Sequence, residues 1–203
     1  MSKELEDKRK EEIINACLKL YETRNFKDIT IKDIGDIISL SRPSIYNYFH
    51  TKEEIFLELL KREYILWIEE LEKMIQENKE LDKEKFAELL AKSVESRQRM
   101  LKLLSMNMYD IEENSRLEKL VEFKEVFAKS METMKLCLDK FFKQMQEEEK
   151  IDFIYTFFPF MYGIYPYTMA TDKQKQAMKI VGYPYNYMTI YEITYKALKK
   201  ILK

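Results

Sequence analysis

At 203 residues the chain has room for one large domain, or for a small one joined to a larger one. A hydrophobic fraction of 46% beside 35% charged residues excludes a disordered chain, and three Gly with four Pro leave so few places to turn that an all-α fold is expected. The formal net charge is −1, and nine Lys/Arg face nine Asp/Glu over residues 1–50, which excludes DNA attraction by bulk charge. Any contact with nucleic acid has to come from local arrangement.

The opening MSKELEDKRKEE is charged and has no apolar core, so no secretory signal is expected and the default location is cytoplasmic. The two cysteines, Cys17 and Cys137, lie far apart in helical apolar patterns and read as buried thiols, not as a disulfide.

In chain order, Ile13, Ile14, Cys17, Leu18 and Tyr21 fall at three- and four-residue spacings and predict a first helix over 4–24. Asn25 tolerates the left-handed conformation that ends many helices, and Phe26 and Ile29 plug back towards the core. Thr30 is a good N-cap for a second helix, with Asp33 complementing its positive end and Ile34, Ile37 and Ile38 as its expected buried face. Ser39-Leu40-Ser41 breaks that helix, with Leu40 expected to be buried in the turn. Ser41 caps a third helix, and Pro43 sits in its first turn, where a missing N–H costs nothing. Ile45 and Phe49 face inward, and Thr51 with Glu54 forms an expected capping box for a long helix over 52–77.

A helix over about 83–104, a short linker helix near 107–113 and a very long helix over 115–147 follow. The stretch 151–170 has the length of a membrane span, but Asp152, Pro159, Gly163, Pro166 and its tyrosines favour a buried, kinked helix, and no membrane is expected. TDKQKQAM reads as a loop, and a last helix spans about 186–202.

Residues 30–52 carry the functional signal. A capped second helix, a short turn and a short third helix with exposed polar and aromatic groups make a helix-turn-helix unit, whose third helix enters the major groove. Arg42 suits a bidentate contact to guanine and Asn47 one to adenine. Ser44, Tyr46, Tyr48 and Lys52 suit phosphates, as do the backbone N–H groups behind Thr30. Residues 39–52 hold Arg42 and Lys52 and no acidic side chain, a local positive edge in a neutral domain. Helix pattern alone fits equally well an ordinary helical hairpin with a polar surface.

Residues 9–60 resemble the N-terminal domain of the TetR family of bacterial transcriptional repressors. The matching runs are I-I-N-A-C-L-K-L-Y-E in the first helix, T-I-K-D-I in the second and S-R-P-S-I-Y-N-Y-F-H-T-K-E-E-I-F beyond. Departures are mild: Gly35 and Ile37 stand where the family usually has alanines, and Ser39 where a turn glycine is common. Pro43 holds a position often taken by Gly or Pro, and its ring can touch a thymine methyl. The resemblance implies a DNA-binding domain over 1–51 and a ligand-binding and dimerisation domain over 52–203, whose final two helices pair across a homodimer.

The residues of the larger domain suit that role. Trp67, Met100, Leu104, Phe127, Met131, Phe157 and Met161 lie on apolar faces of different helices and either line a cavity for a small apolar or aromatic effector or fill a core. The apolar segments around 150–169 and 186–202 are too greasy to leave exposed; pairing them across a two-fold axis gives two recognition helices for a palindromic operator. The expected mechanism is a two-state shift in which a ligand between the helices at 52–77 and 115–170 tilts the DNA-binding domains through the fourth helix.

His50 is the sole histidine and reads as a phosphate contact or a solvent-facing ring. No metal site, no cofactor, no Gly-rich phosphate loop and no nucleophile–base pair is expected, so an enzyme is not. The alternative function is a helical small-molecule sensor whose DNA-binding domain has decayed.

Overall fold

The periodic apolar spacing becomes ten α-helices and one 3-10 turn, with no strand, in a computed structural model that describes residues 3–202, the side chain of Met106 excepted. The helices are α1 (Lys3–Tyr21), α2 (Ile31–Ile38), α3 (Arg42–Tyr46), α4 (Lys52–Glu77), α5 (Lys83–Glu95), α6 (Gln98–Glu113), α7 (Leu117–Phe141), α8 (Glu147–Thr168), α9 (Asp172–Val181) and α10 (Ile190–Ile201), with the 3-10 turn Phe26–Asp28 between α1 and α2. Among the described residues no helix is long and apolar enough to cross a membrane.

The chain divides into two compact units, one running to Arg62 and including Asn107–Phe127, the other comprising Glu63–Met106 and Ala128–Lys203. The sequence division after residue 51 falls instead at the start of α4.

In the first unit Ile13, Cys17, Ile29, Ile34, Ile45 and Phe56 are wholly buried. Phe56 receives the ring of Tyr21 at 5.2 Å and that of Phe26 at 4.7 Å, both edge-on. Such pairs contribute about 0.5–1.5 kcal/mol beyond the area they bury. The free thiols of Cys17 and Cys137 are both buried, and desolvation pushes each up to about 12.

In the second unit Trp67 is wholly buried, donates Nε1–H to Ser93 Oγ at 3.1 Å and meets the ring of Phe158 at 5.7 Å. α10 packs on α5 and α8. Three departures from the sequence reading belong here. The helix expected over 83–104 is broken at Ser96-Arg97, where α4 carboxylates pair with Arg97 and Arg99. Glu63, 4% exposed, pairs with Arg99 at 2.7 Å, and Glu70 pairs with Arg97. α8 is amphipathic and not buried all round: Phe153, Phe157, Phe158 and Met161 face in, while Ile151, Tyr155 and Tyr167 are exposed. Its two prolines, Pro159 and Pro166, lie inside the helix on exposed positions.

The third departure is α9, where a loop was expected. It is a capped helix: Thr171 Oγ1 accepts from Gln174 N, the Gln174 side chain accepts from Thr171 N, and Gly182 at φ 71° closes the other end. None of its residues is buried.

Candidate nucleic-acid interface

The geometry of residues 30–52 begins at two caps. Thr30 Oγ1 accepts from Asp33 N at 3.2 Å and Asp33 Oδ2 accepts from Thr30 N at 2.8 Å, a reciprocal capping box at the start of α2. The Thr30 hydroxyl, which donates to Asp33 Oδ2 at 2.5 Å, and then the Thr30 N–H hold the Asp33 carboxyl below the usual carboxylate range, with Arg24 adding its charge from 3.3 Å. Ser41 Oγ does the same office for α3, accepting from Ser44 N at 3.3 Å and bonding Ser44 Oγ at 2.7 Å.

Between the caps the turn is very tight. Ser39 ends α2 in the left-handed conformation, at φ 55° and ψ 34°, and the N–H groups of Ser39 and Leu40 both reach back to the carbonyl of Gly35. A Cβ at position 35 would lie 2.5 Å from the Leu40 carbonyl oxygen and 3.3 Å from Ile45 Cδ1. Two of the departures from the family pattern are therefore one arrangement: Ser39 takes the strained backbone, and the missing side chain at Gly35 lets the turn fold onto α2. Packing follows the tight turn. The buried face of α2 is Ile31, Ile34 and Gly35, whereas Ile37 is 39% exposed and Leu40 only half-buried, against the sequence reading.

α3 buries Ile45, and Phe49 beyond it is 1% exposed, which leaves Arg42, Pro43, Tyr46, Asn47 and His50 outside, with Ser44 and Tyr48 half-buried. Thr30 is exposed at the mouth of α2. Arg42 lies back along its own helix, donating from Nε at 3.2 Å and Nη2 at 3.0 Å to Tyr46 Oη. Any partner that takes both of those guanidinium nitrogens has to replace that phenol. Lys52 is differently engaged: its Nζ donates to the carbonyls of Phe26 at 2.9 Å and Ile29 at 3.1 Å and sits 4.4 Å from the centre of the Phe26 ring. Most of its hydrogen-bonding capacity is spent closing the end of the 3-10 turn, so within 39–52 the outward positive charge rests with Arg42.

The expected capping box at α4 is half formed. Thr51 Oγ1 accepts from Glu54 N at 3.2 Å, but the Glu54 carboxylate takes the N–H of His50, at 2.8 Å, and the side chain of Arg116. Burial pushes the Glu54 carboxyl up, and the Arg116 guanidinium with the N–H groups of His50 and Arg116 outweighs it, leaving the group below its ordinary value. Arg116 and its neighbour Asn114, whose carbonyl accepts from Thr51 Oγ1 at 3.0 Å, were not nominated by the sequence. No local spacing connects them to position 54.

Of the seven residues nominated for an effector site, Trp67, Met100, Phe157 and Met161 are wholly buried and Leu104 is 3% exposed; Phe127 and Met131 are half-buried. Two pockets in the second unit are lined by other residues. A pocket of about 470 Å³ beneath α9 is lined by Pro166, Tyr167, Ala170, Ala177, Met178, Tyr185 and Tyr187, with Gln174 its one amide. Another of about 480 Å³ lies between Phe142, Met145, Glu149, Asp152, Phe153 and the end of α10. Neither is lined by any of the seven. Among the described residues no cluster of His, Cys, Asp or Glu is placed to hold a metal ion.

Comparison with known proteins gives two domain matches. Residues 13–59 match the model for bacterial regulatory proteins of the tetR family, and residues 61–201 match the tetracyclin repressor-like C-terminal domain. The chain is 33% identical over 61 residues to an uncharacterized HTH-type transcriptional regulator, YfiR, of Bacillus subtilis strain 168, an alignment covering 30% of each chain. It is 35% identical over 54 residues to the HTH-type transcriptional regulator EthR of Mycolicibacterium smegmatis, covering 27% of this chain and 25% of that one. Among solved structures, the fatty acid degradation regulator FadR from Bacillus halodurans superposes with a TM-score of 0.61 at 13% identity, over 96% of this chain and 94% of the other. A TetR/AcrR-family regulator from Thermobifida fusca gives the same TM-score at 15% identity over 97% of both.

Proposed function

The chain belongs to the TetR family of bacterial regulators, whose members are DNA-binding transcription factors and not enzymes, and from that premise we propose that it is a repressor that binds a palindromic operator as a homodimer and leaves it when a small apolar or aromatic effector binds. The observation that carries the reading is the outer face of α3, where Arg42, Pro43 and the C-cap Asn47 are exposed on a helix whose entry is fixed by a side-chain cap. In this reading Arg42 and Asn47 contact base edges and Pro43 a thymine methyl. Thr30, Ser44, Tyr46, Tyr48, His50 and Lys52 flank the phosphates, Lys52 with the proton its two carbonyl bonds leave over.

Dimerisation through residues of about 150–202 is supported by the outer face of α8, where Ile151, Tyr155 and Tyr167 are exposed at 47, 69 and 61%. For the effector, the pocket beneath α9 has the size and the aromatic lining of a small-molecule site, and of the nominated residues Phe127 and Met131 are the two that are not buried. Selection of the full-length chain against random duplexes tests the reading: an inverted repeat is expected, together with a dimer in sedimentation at micromolar protein. Weak binding without sequence preference would favour the sensor with a decayed DNA-binding domain, and a clean monomer would remove the paired-helix argument.

A further inference from the structure

Glu54 is fully buried, and its carboxylate joins two segments 62 residues apart. Oε2 accepts from His50 N at 2.8 Å and from Arg116 Nη2 at 3.0 Å; Oε1 accepts from Arg116 Nε at 2.6 Å and from Arg116 N at 3.3 Å. Beside it Thr51 Oγ1 donates to the Asn114 carbonyl at 3.0 Å. The turn between α6 and α7, residues 114–116, is thus fastened at two successive points to the backbone that leaves α3.

α3 has only five residues, so its own hydrogen bonds give it little orientation, and its buried Ile45 and its two ends have to supply it. Ser41 fixes the entry. The exit is His50, whose N–H is held by a carboxylate that a forked guanidinium locks in plane. A charge pair with one buried partner is a poor way to add stability, but it is directional where apolar packing is not.

We propose that Arg116 is a positioning residue for operator recognition, acting through Glu54 on the exit of α3 without touching DNA. The inference rests on the DNA-binding reading above. It places a determinant of operator affinity in the α6–α7 turn, far along the chain from the helix-turn-helix unit.

The test uses the full-length chain and the duplex it selects from a random library. Arg116→Ala is expected to weaken binding to that duplex by about tenfold or more, because the charge it leaves behind is buried and unpaired. Arg116→Lys keeps the charge without the fork and falls between the two. The slope of log K against log[salt] stays unchanged, because no phosphate contact is lost. Amide exchange at residues 47–51 accelerates in Arg116→Ala while α1 and α2 keep their protection. Binding by Arg116→Ala within about twofold of the parent overturns the inference. So does a salt slope reduced by about one, which marks a direct phosphate contact. Loss of protection in α1 and α2 equal to that at 47–51 also overturns it, as plain destabilisation. If the unaltered chain selects no duplex, the DNA-binding reading itself falls and the inference with it.

Discussion

Replacing Gly35 by alanine ought to stabilise a helix, yet here it is expected to do the reverse. In an open helix interior the change gains about 1 kcal/mol. At position 35 the new methyl lies 2.5 Å from the Leu40 carbonyl oxygen and 3.3 Å from Ile45 Cδ1. The isoleucine methyl can give way by a few tenths of an ångström. The carbonyl cannot move alone, because the N–H groups of Ser39 and Leu40 both hold the turn to the Gly35 oxygen. Overpacking of this kind costs about 1–3 kcal/mol, so the balance falls between neutral and about 2 kcal/mol of destabilisation. Urea unfolding with amide exchange read separately in α2 and α3 measures it, since a chain with two compact units need not unfold in one step. Ser39→Gly is the companion: it removes left-handed strain worth about 1–2 kcal/mol and loosens the unfolded chain by about 0.5–1 kcal/mol, for a small net gain. If Gly35→Ala instead stabilised α2 by the full 1 kcal/mol of an open site, the crowding argument would be refuted.

Arg42→Ala should lose about 1–3 kcal/mol of operator affinity and relax preference at one base, read by anisotropy against single-base variants of the selected duplex. Unchanged preference would remove the base contact assigned to it. The Glu54 carboxyl titrates lower in the folded chain than unfolded, so its contribution is fully present above the unfolded value of about 4.3 and fades as pH falls through the folded one. The urea midpoint should therefore drop below about pH 4, and drop less in Glu54→Gln. Ser93→Ala strips the buried indole N–H of Trp67 of its acceptor and should cost about 1–3 kcal/mol, with a shift in the emission of the chain's single tryptophan as the check.

The helix-turn-helix unit was legible because its punctuation is local. Thr30 with Asp33, and Ser41 with Pro43, are caps that act within one turn, and each lies where the sequence put it. Faces were less legible. Ile37 follows the helical period as well as Ile31 does, and only the tight turn at Ser39 decides that Ile31 goes in and Ile37 stays half out. The break at Ser96-Arg97 was invisible because the partners of Arg97 and Arg99 there, Glu70 and Glu63, sit on another helix. α9 was missed for the opposite reason: with nothing buried it has no apolar stripe to find, and Thr171, Gln174 and Gly182 were the available signs. Lys52 shows the limit for site residues. Spacing made it a phosphate ligand, and no spacing shows that two carbonyls already hold it.

That Glu54 is satisfied by Arg116 also bears on how such a protein can be recombined. Read linearly, the DNA-binding domain looks like a cassette that could be cut after α3 and fused to a relative's C-terminal half. The compact unit is not contiguous, however; it closes only when Asn107–Phe127 returns to it. A chimera joined near residue 51 would inherit from its new host whatever occupies the α6–α7 turn, and a host lacking an arginine there would leave the Glu54 carboxylate sealed in without a cation. Transplants that carry the 107–127 segment along with the N-terminal helices keep the latch intact, so on the role proposed for Arg116 operator affinity passes with two stretches of sequence together.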